Sequence, residues 1–95
     1  MNHATREARL RQRLIDAFRP LQLDIADESH LHAGHAGAAG GGGHYRIRIV
    51  AEAFRGKPAV ARHRMIYAVL GELLQSEIHA LAIDASPPAD VPPNG

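Results

Sequence analysis

The chain contains no cysteine and no tryptophan, and its aromatic residues are two tyrosines and two phenylalanines among 95 residues. Without cysteine it cannot form disulfides, donate thiolates to a metal or carry out thiol catalysis. It also lacks an apolar N-terminal leader and any run of about 18 apolar residues, so we expect neither secretion nor insertion into a membrane. These absences predict a cytoplasmic protein that must obtain any sulfur ligand from a partner.

Neither sign of charge is in clear excess, because the chain has 11 basic and 10 acidic residues and a net charge of +1. Bulk electrostatics therefore gives no reason to expect binding to nucleic acid, and any basic surface must be local. A chain of 95 residues forms one domain whose core is adequate but small. A large enclosed active-site cavity is not expected.

Arrangements typical of catalytic sites are also missing. Asp27 and Glu28 are adjacent, so in a strand their carboxylates point to opposite faces and cannot form an acid–base pair. The glycine run Gly40–Gly43 lacks the Lys-Ser/Thr of a phosphate-binding loop and precedes a predicted strand rather than a helix. We therefore predict that the protein is not an enzyme.

The spacing of apolar residues predicts the secondary structure. A period near 3.6 indicates helices and a period of 2 indicates strands. The predicted elements are a helix between Thr5 and Pro20, a strand over 21–27, a strand over 44–54, a helix over 58–75 and a strand over 79–84. The first two strands should pair antiparallel, and the helical crossover should place the last strand parallel to the second. The sequence thus predicts one α+β (α/β) domain over 1–85, a three-stranded mixed sheet with helices on one face, and a disordered proline-rich tail over 86–95.

Histidine is the residue type that the chain has in excess, with seven copies, of which four fall within residues 30–44. His32 and His35 lie in a glycine-rich loop, where clustered imidazoles can bind a functional metal but also adventitious zinc or nickel. His63 has the position of a partly buried or capping histidine. His79 is expected at the end of the last strand, where a side chain is held more rigidly than on a loop.

Six short strings, spread over residues 6 to 85 or so, occur in an order and at spacings typical of one known family. They are Asp27-Glu28-Ser29, His32-Ala33-Gly34-His35, His44-Tyr45-Arg46-Ile47, Phe54-Arg55-Gly56-Lys57, Arg62-His63-Arg64-Met65-Ile66-Tyr67 and Ile78-His79-Ala80-Leu81. Together they resemble the BolA family. The resemblance implies a class II KH-like fold of α-β-β-α-β type, which agrees with the order predicted from periodicity. It also implies a monothiol glutaredoxin partner, a shared 2Fe-2S cluster, and a role in iron–sulfur assembly, trafficking or iron signalling.

By position, the resemblance implies that His79 is the fixed cluster ligand and His32 the loop ligand, with His35 as a neighbouring candidate. A glutaredoxin cysteine and glutathione would supply the sulfur, so the chain would be a monomer alone and a heterodimer with its partner. Family members often carry an acidic residue and a Ser or Thr before the histidine that matches His44. This chain has Gly41–Gly43 there instead.

Some family members regulate transcription by binding DNA, and this is the alternative function. The resemblance places a helix-turn-helix-like segment at Phe54–Tyr67, and the basic residues in or beside it that could contact phosphates are Lys57, Arg62, His63 and Arg64. The sequence favours the cluster partner, because the net charge is nearly neutral and Gly56-Lys57-Pro58-Ala59 is not the GxxG loop with which KH modules clamp a nucleic-acid backbone.

Overall fold

The computed structural model describes residues 3–28, 43–76 and 78–89, which form an α-β-β-α-β domain with an additional short helix. The elements are α1 (His3–Phe18), β1 (Gln22–Asp27), β2 (Gly43–Val50), a 3-10 turn (Glu52–Phe54), α2 (Ala59–Leu70), α3 (Glu72–Ser76) and β3 (Ile78–Ser86). This order confirms the predicted fold class.

The three strands form one sheet in the order β1-β2-β3. Strand β1 is antiparallel to β2, with Ile25 opposite Ile47, and β2 is parallel to β3, with Ile47 beside Ile83. The predicted mixed sheet is therefore confirmed. The antiparallel pairing of β1 with β2 needs no crossover, whereas the parallel pairing of β2 with β3 requires the long helical connection between them.

The helices cover one face of the sheet, as predicted. In β2, Tyr45, Ile47 and Ile49 are buried, whereas Arg46 and Arg48 alternate with them and are exposed on the open face. The rest of the buried apolar core comes from α1, the segment after β2, the crossover helices and the start of β3. Its residues are Leu10, Leu14, Ala51, Phe54, Ile66, Leu70, Leu73 and Ile78.

Strand β2 ends at Val50 rather than at the predicted Phe54, because the chain turns sharply into the 3-10 turn. The turn brings Phe54 into the core, where its side chain is fully buried and its ring centroid lies 5.0 Å from that of Phe18. Burial of this large aromatic side chain stabilises the turn. The apolar residue that suggested a longer strand is in fact the anchor of the turn.

The single helix predicted over 58–75 is divided at Gly71 into α2 and α3. Gly71 has φ 38° and ψ −107°, a conformation that favours glycine because it has no Cβ. Its amide donates to the Tyr67 carbonyl at 2.9 Å, and this is the last backbone hydrogen bond of α2. The break redirects the chain so that Leu73 in α3 remains buried while β3 begins only a few residues later.

Strand β3 runs to Ser86, two residues beyond the predicted end, and the structure describes the chain through Ala89. The Ser86 carbonyl accepts a hydrogen bond from the Ala51 amide at 3.0 Å, and the Pro88 carbonyl accepts one from Arg55 Nη2 at 3.1 Å. The first residues of the predicted tail are thus tied to the domain, and residues 90–95 of it lie outside the described residues.

Candidate functional site

The predicted loop ligands His32 and His35 lie outside the described residues, whereas His79 lies in β3. The two described residues that flank the loop, Glu28 and Gly43, are at the same end of the sheet as the start of β3. The Glu28 amide donates to the His44 carbonyl at 2.7 Å, and Gly43 pairs with Ile78. The fold therefore brings both ends of the loop close to the backbone of His79.

His79 occupies an irregular position in the sheet. Gly43 pairs with Ile78 and His44 pairs with Ala80, so His79 is an extra residue without a partner on β2. A bulge of this kind bends the strand, changes the direction of side chains and is common beside functional sites. The alternation of His79 with Leu81 and Ile83 correctly predicted a strand, but the bulge could not be seen in β3 alone because it depends on the register with β2.

The residues around the start of β2 are tightly packed. A Cβ at Gly43 would collide with the Tyr45 ring and would stand 2.6 Å from Arg6 Nη1 of α1. Burial raises the pKa of the Tyr45 phenol, and the adjacent Arg6 guanidinium partly offsets that rise. Gly43, noted in the sequence as a departure from the family pattern, thus permits this close approach, and a larger residue there would require the Tyr45 and Arg6 side chains to move.

Two hollows lie beside the start of β3. One, of about 330 Å³, is apolar and is lined by Tyr67, Leu74, Ile78, Ala80 and Leu81. The other, of about 280 Å³, involves the open face of the sheet, and its lining includes His44, Glu28 and Arg46. Ala80 and Leu81 contribute to both, so the residues next to His79 are within reach of a partner.

The basic residues of the helix-turn-helix-like segment, which we call the basic segment, do not form one continuous cationic patch. Arg62 is half-buried, and its guanidinium donates to two backbone carbonyls, that of Lys57 at 2.7 Å from Nε and that of Ala85 at 2.9 Å from Nη1. His63 is also half-buried, whereas Lys57 and Arg64 are exposed. Sequence reasoning missed that Arg62 joins α2 to β3, because no local pattern reveals a contact between residues 23 positions apart.

The described part of the chain does not hold a metal site by itself. Within it, no group of three or more His, Asp or Glu side chains is arranged to bind an ion. The full sequence supplies no thiolate, because it has no cysteine.

Comparison with known proteins identifies the family. A family model described as BolA-like protein matches residues 14–90. The chain is a member of the BolA-like family. This finding confirms the resemblance inferred from the six strings.

Two Arabidopsis thaliana proteins and one solved structure illustrate how similar this BolA-like chain is to its relatives. SufE-like protein 1, chloroplastic/mitochondrial, is 44% identical over 92 residues, which cover 92% of this chain and 25% of that protein. Protein BOLA1, chloroplastic, is 39% identical over 90 residues, covering 92% of this chain and 56% of the relative. The structure of the BolA domain of SufE1 has a TM-score of 0.80 at 44% identity and covers 92% of this chain and 96% of the domain. The chain thus spans a quarter to just over half of these two full-length relatives.

Among the described residues, every helix of the BolA-like chain is too short or too polar to cross a bilayer.

Proposed function

We propose that this BolA-like protein is a non-enzymatic partner of a monothiol glutaredoxin and shares a histidine-ligated 2Fe-2S cluster with it. The cluster would serve iron–sulfur assembly, trafficking or iron signalling. The observation that carries the proposal is the position of His79, the extra residue of a bulge at the start of β3. The backbone on both sides of His79 is paired with β2, and bulges are common beside functional sites.

The coordination requirement supports a shared site. A 2Fe-2S cluster needs four ligands, and two imidazoles can replace two thiolates on one iron. This chain has imidazoles but no thiolate. The proposed ligands are His79 together with His32 or His35 from the loop, while a glutaredoxin cysteine and glutathione provide the sulfur. Ligation by imidazole would give the bound cluster a higher reduction potential than four thiolates would.

The alternative function, DNA-dependent regulation of transcription, has weaker support. Two guanidinium nitrogens of Arg62 donate to backbone carbonyls, and the exposed Arg55 pairs with Glu52. The exposed cations that remain for phosphate in the segment 54–67 are Lys57 and Arg64. Each phosphate contact adds to affinity and to its salt dependence, so two cations predict only weak, non-specific binding. Gel shifts at low and high salt, with Lys57→Ala and Arg64→Ala, would test this alternative.

The cluster proposal is tested by mixing the purified chain with a cluster-loaded monothiol glutaredoxin and recording visible circular dichroism. The wild-type chain should change the spectrum, and His79→Ala should abolish the histidine-ligated species. His32→Ala should have a smaller effect, because His35 can substitute for it. His63→Ala is the matched control, since it removes a histidine of the crossover helix and should leave the spectrum unchanged.

A second readout separates ligation from association. Size-exclusion chromatography with cluster-free glutaredoxin should still show a heterodimer for His79→Ala. If His79→Ala keeps the wild-type spectrum while the heterodimer persists, His79 is not a ligand and the assignment is wrong. A wild-type chain that neither binds glutaredoxin nor alters its spectrum would contradict the whole proposal.

The cytoplasmic location belongs to the same proposal. The names of the two Arabidopsis relatives assign those proteins to chloroplasts or mitochondria. Fluorescent tagging of the full-length protein in its own cells would show where the proposed partnership takes place.

A further inference from the structure

One face of α2 carries exposed apolar side chains together with a cation, and it leads into the apolar hollow beside His79. Val60, Arg64, Tyr67 and Ala68 are spaced i, i+4, i+7 and i+8, which places them on one side of a helix. All four are exposed; Val60 is 60% and Tyr67 43% accessible. We call these four residues the α2 stripe.

The α2 stripe and the hollow are continuous, because Tyr67 belongs to both. Gly71 ends α2 four residues after Tyr67. Leu74 of α3, which follows this break, lines the hollow together with Tyr67. The remaining wall is formed by β3, where Ile78 and Ala80 stand on either side of His79 in the sequence. An apolar surface thus extends along α2 to the backbone next to His79.

We propose that the α2 stripe and the hollow are the surface on which the cluster-carrying glutaredoxin docks, an inference that rests on the proposed function. Ligand atoms lie only about 2 Å from a metal. A partner that supplies thiolates to a cluster bound by His79 must therefore cover the residues around it. Ile78, Ala80 and Leu81 are among these residues, and all three line the hollow.

The composition of the surface specifies what the partner presents. Tyrosine and arginine are enriched among the residues that dominate protein–protein affinity. The Arg64 guanidinium makes no ion pair or hydrogen bond with the described residues, so it is available to a carboxylate. We infer that the docking glutaredoxin places an apolar side chain in the hollow and an acidic residue against Arg64.

Nucleic acid fits this surface poorly. Arg64 is the one cation within the α2 stripe, and the aliphatic Val60 and the half-exposed Tyr67 flank it along the helix. The next basic residue, Arg62, donates to the Lys57 and Ala85 carbonyls instead. Phosphate binding would require several cations at the backbone spacing of DNA, whereas one cation among apolar groups is typical of a protein interface.

The test uses the full chain and cluster-free monothiol glutaredoxin in isothermal titration calorimetry. Tyr67→Ser and Arg64→Glu should each raise the dissociation constant by about tenfold or more, as expected for central interface residues. The matched controls are Leu21→Ser, an apolar residue that is 75% exposed beside β1, and Arg19→Glu, an exposed arginine after α1. Both controls should bind as the wild-type chain does, and circular dichroism should show that all four variants are folded.

The outcomes separate this inference from the proposed function. If the wild-type chain forms the cluster-bridged complex and Tyr67→Ser and Arg64→Glu keep wild-type affinity, the docking surface is overturned while the proposed function stands. If Arg64→Glu abolishes binding to duplex DNA and leaves glutaredoxin binding unchanged, the surface belongs to nucleic acid. A wild-type chain that does not bind glutaredoxin overturns both.

Discussion

Three hydrogen bonds hold the carboxyl end of β3 and the two residues after it, whereas at the amino end the pairing of β3 with β2 is interrupted by the bulge at His79. The carbonyls of Ala85, Ser86 and Pro88 accept these bonds from Arg62 Nη1, the Ala51 amide and Arg55 Nη2. The amino end instead borders the apolar hollow and pairs with Gly43, the first described residue after the glycine-rich loop. One strand therefore combines a fixed end with an irregular one.

This difference would allow a small domain to present the proposed cluster ligand without an enclosed site. A bulge weakens local pairing, because its extra residue has no partner. The regular pairing from Ala80 to Ser86 and the bonds at the carboxyl end then determine the direction of the strand. The side-chain hydrogen bonds to the backbone of this region lie at one end of β3, and the residues proposed to bind the cluster and the partner lie at the other.

The largest expected effect comes from removing the aromatic anchor near the fixed end. Phe54→Ala deletes a fully buried ring that packs on Phe18, and such cavities cost about 3 to 5 kcal/mol of unfolding free energy. The control is Tyr67→Ala beside the irregular end, which removes a 43% exposed ring and should cost less than about 1 kcal/mol. Urea unfolding measures both. Equal losses would contradict the contrast between the two ends.

A smaller loss is expected when the connection between α2 and β3 is removed. Arg62→Ala deletes hydrogen bonds to the Lys57 and Ala85 carbonyls, and bonds from charged donors contribute about 1.5 to 3 kcal/mol. We expect unfolding free energy to fall by about 2 to 3 kcal/mol. Arg64→Ala, at an exposed position, should change it by no more than about 0.5 kcal/mol. An Arg62→Ala variant as stable as wild type would show that these bonds do not hold the strand.

The regular parts of this architecture follow from the sequence, and the irregular parts do not. Alternation of period 2 in β2 and a helical crossover of sufficient length were enough to predict the order and direction of the strands. The break at Gly71 was hidden because apolar residues at helical spacing continue from Leu70 to Leu74 across it. A glycine within a helical pattern signals a possible break, but the packing of Leu73 against the core decides it.

The site was predictable to a similar degree. His79 was correctly assigned to the last strand, whereas the ligand role that the family strings imply for it stays a prediction. The bulge depends on the register between two strands, and the role of Arg62 depends on a contact between distant segments. Neither is encoded in a local pattern. One feature of the sequence indicated that Tyr67 is exposed: it lies three residues after Arg64 and next to Ala68, on the side of the helix away from the core.

A moderate effect is expected from the turn that leads to the irregular end. Gly71→Ala places a Cβ where the nearest atom, the Ala68 carbonyl oxygen, is 3.7 Å away, so the cost arises from the backbone. At φ 38° that strain should lower unfolding free energy by about 1 to 2 kcal/mol. Gln75→Ala, at an exposed α3 position, is the control and should have little effect. Unchanged stability in Gly71→Ala would mean that the turn relaxes into another conformation.

The smallest expected effect concerns an exposed ion pair at the fixed end. The hydrogen bond from Arg55 to Glu52 lowers the pKa of the Glu52 carboxyl below its ordinary value of 4.5. Because the folded state then binds the proton more weakly than the unfolded state, the contribution of this ion pair to stability is present above pH 4.5 and is lost as the pH falls through the lowered pKa.

Glu52→Gln should therefore be slightly less stable than wild type at neutral pH and equal to it in acid. Urea midpoints compared across this pH range should show the difference shrink, and added salt should reduce it at neutral pH because the pair is exposed. A difference that stays constant with pH would show that Glu52 stabilises the turn without its charge, and the fixed end would then depend on Arg62, Ala51 and the Phe54 anchor.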